Sequence, residues 1–181
     1  MLSERTVRNL SDAFLRAANA TLVRQAGDQC TIAPSRQPWS ESKSGGRILL
    51  MTISSFTFRL IIVFQLADGQ PTRDYYTASS PGKALDETFS EFANMCCGAM
   101  SRELFAQFRH VGMSIPYLLE WQCAQHLGDL NPRMISSYDI TIRDAARVKA
   151  TLCMCCERQV EFSPPVMETA AQSTGGTLEL L

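Results

Sequence analysis

Residues 86–100 read Asp-Glu-Thr-Phe-Ser-Glu-Phe-Ala-Asn-Met-Cys-Cys-Gly-Ala-Met, and their spacing predicts an amphipathic helix. At about 100° per residue, the apolar side chains gather on one face of this helix. That face contains Leu85, Phe89, Phe92, Cys96, Ala99 and Met100. The opposite, polar face contains Glu87, Glu91, Asn94, Gly98 and Ser101. The helix is therefore predicted to pack through one side and to present an acid, an amide and a glycine to solvent.

Glu91 and Asn94 are the residues of this polar face that could carry chemistry. They are three positions apart, so they lie side by side on a helix. Gly98, one turn further on, leaves room for another surface to approach. A carboxylate can hold a partner's cation, and an amide can orient a water molecule. An isolated Glu-x-x-Asn is more often an ordinary solvated helix face, so the rest of the chain must decide between the two interpretations.

Composition excludes several classes of function. The 181 residues carry 17 Lys plus Arg against 18 Asp plus Glu, so nothing predicts binding to nucleic acid. Seven cysteines, an odd number without a regular framework, favour a reducing cytoplasm, and the N-terminus lacks the layout of a secretory signal. The apolar run Ile48 to Leu66 contains Thr52, Ser54 and Arg59 and predicts two strands rather than a membrane span.

The chain reads as two copies of one plan, helix followed by three strands. The first copy is predicted as a helix at Ser3–Gln25 and strands at Cys30–Ala33, Arg47–Ser54 and Phe56–Leu66, with a loop at Pro34–Gly46. A linker, Gln70–Gly82, leads to the second copy. That copy is predicted as a helix at Lys83–Phe108 and strands at Val111–Glu120, Met134–Ile142 and Ala145–Glu157, with a short connection through Gly128.

The two helices support an internal duplication. Setting Leu10 on Leu85 aligns three further identical pairs without a gap, and Arg16 then takes the place of Glu91. The identical pairs are Phe14 with Phe89, Ala18 with Ala93, and Asn19 with Asn94. We therefore predict one α+β domain over residues 1–160, with pseudo-repeats at about 3–67 and 83–158 that share an antiparallel-rich sheet. Residues 161–181, which include Pro164-Pro165 and Gly175-Gly176, are predicted to form a flexible tail.

These residues resemble the CheC/CheX phosphatases of bacterial chemotaxis. The resemblance rests on Glu91-x-x-Asn94, on Gly98 and on Pro116, which follows Asn94 after 21 residues. It implies an internally duplicated, pseudo-symmetric fold of helices and strands, α/β in the broad sense and α+β in its arrangement. It also implies that the protein dephosphorylates the response regulator CheY. The family pattern also has an Asp or Ser before the Glu, and Ser90 and Asp86 lie nearby without matching that spacing. One intact motif rather than two makes the chain resemble CheX more than CheC.

The resemblance also implies a division of labour between the chain and its partner. A phosphorylated receiver domain brings its own Mg²⁺ and lysine, so no cofactor is expected on this chain. Asn94 would orient the attacking water and Glu91 would bind the receiver's lysine, while Glu87, Gly98 and Ser101 would contact the partner. Arg16 would repel that lysine, so the first helix is expected to be non-catalytic. A homodimer through strand edges is also expected, with Phe56–Leu66 as a candidate edge.

Other interpretations remain. The spacing Cys96-x5-Arg102 matches cysteine phosphatases, but Cys96 falls on the apolar face of a predicted helix rather than in a phosphate-binding loop. Cys123, His126 and the cysteines of 153–156 could form a zinc site, although buried sulfur in a strand is the simpler explanation. The alternative function is a non-catalytic module of the same fold that binds a response regulator or a flagellar-motor protein through the same face.

Overall fold

The computed structural model describes residues 2–36, 46–67, 69–79 and 82–163. Its three helices are α1 (Glu4–Thr21), α2 (Gln70–Thr77) and α3 (Leu85–Phe105). The strands are β1 (Cys30–Pro34), β2 (Arg47–Ser54), β3 (Arg59–Leu66), β4 (Gly112–Met113), β5 (Tyr117–Glu120), β6 (Met134–Ile142) and β7 (Ala146–Cys155). A 3₁₀ helix, Trp121–Leu130, joins β5 to β6.

All seven strands form one antiparallel sheet whose order is symmetric about its centre. The strands follow the order β1-β6-β7-β3-β2-β4, and β5 pairs with β2 beside β4. The central pair joins Arg59–Leu66 of β3 to Val148–Cys155 of β7. Exchanging each strand of the first half for its counterpart in the second half leaves this order unchanged. The predicted duplicated α+β fold is therefore confirmed, and both three-strand sets share one sheet.

Helices α1 and α3 pack side by side on one face of the sheet. Arg16 near the end of α1 pairs with Glu103 near the end of α3, and Thr21 at the end of α1 lies close to Cys96 in the middle of α3, so the two helices run antiparallel. Phe64 of β3 lies beneath both helices, with its ring centroid 6.5 Å from that of Phe14 and 5.8 Å from that of Phe89. The two phenylalanines that the gapless alignment pairs thus share one aromatic neighbour in the core.

Burial along the two helices follows the same register. Ala18 and Ala93 are both fully buried, and Asn19 and Asn94 are both exposed. Ser3 caps α1 by accepting a hydrogen bond from the Thr6 amide, as the residue preference for this position favours. The alignment of the two helices therefore describes equivalent positions in space.

Several predicted boundaries were wrong. The segment 70–82, predicted as a linker, contains α2, which has Pro at the start of its first turn and buries Tyr75 and Tyr76. Helix α1 ends at Thr21 rather than Gln25, α3 spans only Leu85–Phe105, and β3 begins at Arg59 rather than Phe56. The first turn of a helix tolerates proline, because backbone N–H groups there have no intrahelical acceptor and the missing N–H of proline costs no hydrogen bond. The short helix is held by packing of Tyr76 on Phe89, with ring centroids 5.0 Å apart.

The opposite face of the sheet is partly covered by the 3₁₀ helix. Its buried Leu127 packs in a small cluster with Ile48, Val63 and Cys153. The sequence predicted only a short connection here, because one buried leucine in ten residues gives no helical periodicity. The sheet therefore has one face packed against helices and one face that is covered only in part.

The outer edges of the sheet differ from the prediction. Strand β3 pairs on both sides, so it is not the free edge that Phe56–Leu66 was expected to supply; among the described strands the outer positions belong to β1 and to β4 with β5. The homodimer stays a prediction.

Phe162 is buried and its backbone carbonyl accepts a hydrogen bond from Asn9 Nδ2 at 2.6 Å, so the packed domain extends past residue 160. Residues 164–181 of the predicted tail lie outside the described residues. Within the described residues, no helix has the length and apolarity needed to cross a bilayer.

Candidate functional site

Helix α3 fixes the position of the candidate site. The side chains on its inner face are buried against the sheet, and they set the rotation of the helix about its axis. They include Phe89, Ala93, Cys97 and Met100. Asp86 in the first turn lies 3.6 Å from Arg47 of β2, a contact that ties the start of the helix to the sheet. Acidic residues in a first turn also interact favourably with the helix dipole. The outer face of the helix is thus presented by a packed scaffold.

Glu91 lies on this outer face, with 67% of its side chain exposed. Its Oε1 is 3.4 Å from Lys83 Nζ, and the same ammonium is 4.0 Å from Glu87 Oε1. An ammonium therefore fits beside these two carboxylates. The sequence analysis did not single out Lys83, although its spacing from Glu87 on a helix edge is a recognisable signal.

Asn94 is exposed one turn from Glu91. Among the described residues, no side chain or backbone group forms a hydrogen bond with its carboxamide. The amide can therefore donate to or accept from a water or a partner without breaking an existing bond. Its neighbour Ala93 is fully buried, so the backbone that carries the amide is held in place.

The remaining predicted residues lie along the same helix or just after it. Glu87 is exposed on the stripe with Glu91, while Gly98 and Ser101 are half-buried. A Cβ added at Gly98 would meet only an Arg102 guanidinium nitrogen, at 3.7 Å. Pro116 is half-buried in the turn between β4 and β5. The structure thus brings Glu87, Glu91, Asn94 and Gly98 together on one accessible face.

Exposed apolar side chains near this face were missed by the sequence analysis. Met95 is 56% exposed and Phe105 is 64% exposed, both on α3. Ile115 is 71% exposed and Tyr117 is 49% exposed, in the edge segment that follows β4. Met95 and Phe105 lie outside the apolar face of the predicted helix. An apolar residue on the polar side of an amphipathic helix is the sequence signal that indicates an exposed apolar side chain here.

The equivalent position on α1 is arranged differently. Arg16 forms a two-point ion pair with Glu103, with Nη2–Oε2 at 2.6 Å and Nε–Oε1 at 3.4 Å. The hydrogen bonds that Arg16 donates to the Glu103 carboxylate raise the pKa of the Arg16 guanidinium. Asn19 Nδ2 donates to the Leu15 carbonyl at 3.0 Å. The first helix therefore has a cation in place of the acid and uses its amide internally.

The cysteine-based alternatives lack the required geometry. Cys96 lies within the continuous helix α3, and burial raises its pKa to about 12, so it is not a thiolate nucleophile. Burial likewise raises the pKa of Cys153 to about 12. His126 Nδ1 lies 2.9 Å from Asp129 Oδ2. Within the described part of the chain, no three His, Cys, Asp or Glu side chains are grouped so as to hold a metal ion.

Comparison with known proteins relates this fold to chemotaxis proteins. No family model and no curated protein matches the sequence. Solved structures match: CheX of Vibrio vulnificus superposes with a TM-score of 0.56 at 12% identity, over 81% of this chain and 99% of that one. The chain has the CheX/CheC-like fold. CheX in the CheX–CheY–BeF₃–Mg²⁺ complex of Borrelia burgdorferi gives a TM-score of 0.55 at 9% identity, over 82% of this chain and 97% of that one.

A similar fold also occurs in the middle domain of FliM. The middle domain of FliM from Vibrio alginolyticus superposes with a TM-score of 0.53 at 8% identity, over 81% of this chain and 92% of that one. The fold is therefore shared by differently named proteins, so the fold alone does not identify a function, and the residues on the face of α3 carry that information.

Proposed function

We propose that this chain hydrolyses the aspartyl phosphate of a CheY-like response regulator. The observation that carries the proposal is Asn94: an exposed amide on a rigidly packed helix, one turn from the exposed carboxylate Glu91. In this CheX/CheC-like fold, the same position on α1 has neither a free amide nor an acid. The CheX structure solved in complex with CheY supports a receiver domain as the partner.

In the proposed reaction, the main task of the chain is to position the attacking water. Phosphoryl transfer depends mainly on in-line placement of the nucleophile and on neutralisation of the phosphoryl oxygens. The receiver's own Mg²⁺ and lysine would supply the neutralisation. Asn94 would hold a water in line with the phosphorus–oxygen bond, which turns a chance encounter into a positioned attack. No cofactor bound by this chain is needed for these steps.

Glu91 would set the docking register by pairing with the receiver's lysine. In the structure its carboxylate already pairs with the ammonium of Lys83 at 3.4 Å, which supports its capacity to bind a lysine. Complementary charges at the edge of an interface favour the correct partner and speed association. Glu87, Gly98 and Ser101 would contact the partner around this pair, in the reducing cytoplasm that the seven free cysteines favour.

The likeness to the FliM middle domain supports a second candidate, a binding module that uses the same face without catalysis. The two candidates differ in one measurable property. A panel of phosphorylated receiver domains should be incubated with the chain while phosphate release and binding are both recorded. Accelerated release with at least one receiver supports the phosphatase, and binding without release with every receiver supports the module.

Lys83 gives a prediction about docking. The Lys83 ammonium pairs with the Glu91 carboxylate, so the receiver's lysine must displace Lys83 before it can bind Glu91. Lys83→Ala is therefore expected to strengthen docking of the receiver. Exposed ion pairs are worth about 0.2–1 kcal/mol, so the gain should be at most about fivefold and should shrink at high salt. Binding measured by titration at two salt concentrations checks this, with Arg73→Ala, on the exposed side of α2, as the control. Weaker docking of Lys83→Ala would contradict the role given to Glu91.

Gly98 gives a prediction in which stability and docking move in opposite directions. Alanine is favoured over glycine inside a helix by about 0.5–1 kcal/mol, and its methyl group meets only Arg102 here. Gly98→Ala should therefore raise the free energy of unfolding while weakening docking, because the added methyl keeps the partner at a distance. Denaturant unfolding and receiver binding measured on the same preparation test this. Unchanged docking of a stabilised variant would remove Gly98 from the contact surface.

A further inference from the structure

A cleft lies at one end of the sheet, apart from the face of α3. Its walls are the β2–β3 turn, the last residues of the 3₁₀ helix, and the chain leaving β7, and its volume is about 740 Å³. Arg59 pairs across the sheet with Ser54 and with Cys155, so these three side chains share one face of the sheet. A volume of this size is within the usual range for small-molecule sites.

Three arginines line this cleft, Arg59, Arg133 and Arg158, against one acidic residue, Glu157. Within the described residues, none of the three arginines lies within ion-pair distance of an acid, whereas Arg16 and Arg47 each pair with one. Arg133 Nε donates to the Cys156 carbonyl at 3.3 Å, which leaves its terminal nitrogens available. In a chain of net charge −1, this is a local excess of cations.

The chemistry of the lining favours a phosphate group. Guanidinium groups bind phosphate oxygens through paired hydrogen bonds and remain charged at every physiological pH. Ser54 and Thr57 add hydroxyl groups on the side of the β2–β3 turn. Several arginines in one cleft, with hydroxyls beside them, fit a ligand with more than one negative charge.

Phe56 adds an aromatic surface to the rim of the cleft. Its side chain is 88% exposed in the β2–β3 turn. Its ring centroid is 5.5 Å from that of His110, in an edge-on arrangement that supports one side of the ring. An exposed ring next to a cationic cleft can stack on a nucleobase, because every base has a flat aromatic face. One such ring fits one base, which favours a mononucleotide over a nucleic-acid strand.

We propose that this cleft binds a nucleoside mono- or diphosphate. Arg59, Arg133 and Arg158 bind the phosphates, and the base stacks on Phe56. None of the residues of the α3 face lines the cleft, so the proposal stands independently of the phosphatase activity.

Calorimetric titration with ADP, AMP and pyrophosphate tests the site. Arg158→Ala and Arg59→Ala should each lower the affinity for ADP about tenfold, since a hydrogen bond to a charged group is lost. Phe56→Ala should lower the affinity for ADP about tenfold and leave that for pyrophosphate unchanged, because stacking involves only the base. Arg8→Ala, an exposed arginine of α1, is the matched control and should change nothing.

Thermal unfolding of each variant keeps the result interpretable, because the substituted side chains are exposed and should leave the melting temperature unchanged. Absence of ADP binding at millimolar concentration would overturn the proposal. Equal ADP affinity in Arg158→Ala, Arg59→Ala and the unmodified chain would do the same. Pyrophosphate affinity equal to that of ADP, together with no effect of Phe56→Ala, would contradict recognition of a base.

Discussion

Replacement of Asn94 by alanine is expected to lower the turnover of a phosphorylated receiver by roughly 10² or more. The amide makes no hydrogen bond to another described residue, so its loss removes the positioning of water without disturbing the fold. Ala93 and Cys97 stay buried, and the helix keeps its place on the sheet. Docking should change little, because Glu91 and the surrounding surface remain. Turnover and binding should be measured separately with the same receiver.

The duplicated fold supplies a matched control for Asn94. Asn19 occupies the equivalent place on α1, is also exposed, and donates an amide hydrogen to the Leu15 carbonyl. Asn19→Ala should leave turnover unchanged. Equal loss of turnover in Asn19→Ala and Asn94→Ala would point to a general effect on the molecule, and no loss in Asn94→Ala would remove its catalytic role.

Reversal of charge at Glu91 is expected to have the second-largest effect, on docking. Glu91→Lys places a cation where the receiver's lysine must bind, and the resulting repulsion should weaken docking about tenfold or more. Glu91→Ala should fall between this variant and the unmodified chain, because it removes the attraction without adding repulsion. Binding of the phosphorylated receiver, titrated at low and at high salt, measures both effects.

Salt and a control variant separate this effect from a general one. Repulsion between exposed charges is screened by ions, so the loss in Glu91→Lys should be smaller at high salt. Arg16→Ala removes a charge from the equivalent position of α1, where Arg16 binds Glu103 rather than a partner, and should leave docking unchanged. Docking of Glu91→Lys that equals that of the unmodified chain at low salt would show that Glu91 lies outside the interface.

The duplicated plan could be predicted because its signals are local. The spacing of Phe89, Ala93 and Cys96 defines a buried helix face, and the repeat of Phe14 and Ala18 at the same positions shows the second copy. The structure confirms that Phe14 and Phe89 contact the same ring, Phe64. Periodicity alone also predicted that Glu91 and Asn94 face solvent, since a helix that buries one stripe exposes the other.

Elements held by tertiary packing could not be predicted in the same way. Helix α2 has eight residues and begins at a Gln-Pro pair, and packing of Tyr76 against Phe89 stabilises it. Helices this short are marginal in isolation. The central position of β3 has a signal in the sequence: five consecutive apolar residues, Leu60–Phe64, are typical of a strand covered on both faces, and all five are buried.

The ion pairs around the site depend on distances that a sequence does not contain. Arg16 and Glu103 are 87 residues apart and meet because α1 and α3 pack antiparallel. The contact between Lys83 and Glu91 spans eight residues and depends on how the chain enters α3. The sequence therefore predicts which residues could act, and the structure shows which of these side chains are already paired.

Turnover at low chain concentration tests the central claim most directly. The chain should be mixed with a large excess of a phosphorylated receiver that it binds, and phosphate release should be followed over time against the receiver alone. A phosphatase that positions water through Asn94 releases many phosphates per molecule of chain, at a rate proportional to the chain concentration. Release that stays at the receiver's intrinsic rate while binding is saturated would contradict the account and favour the binding module.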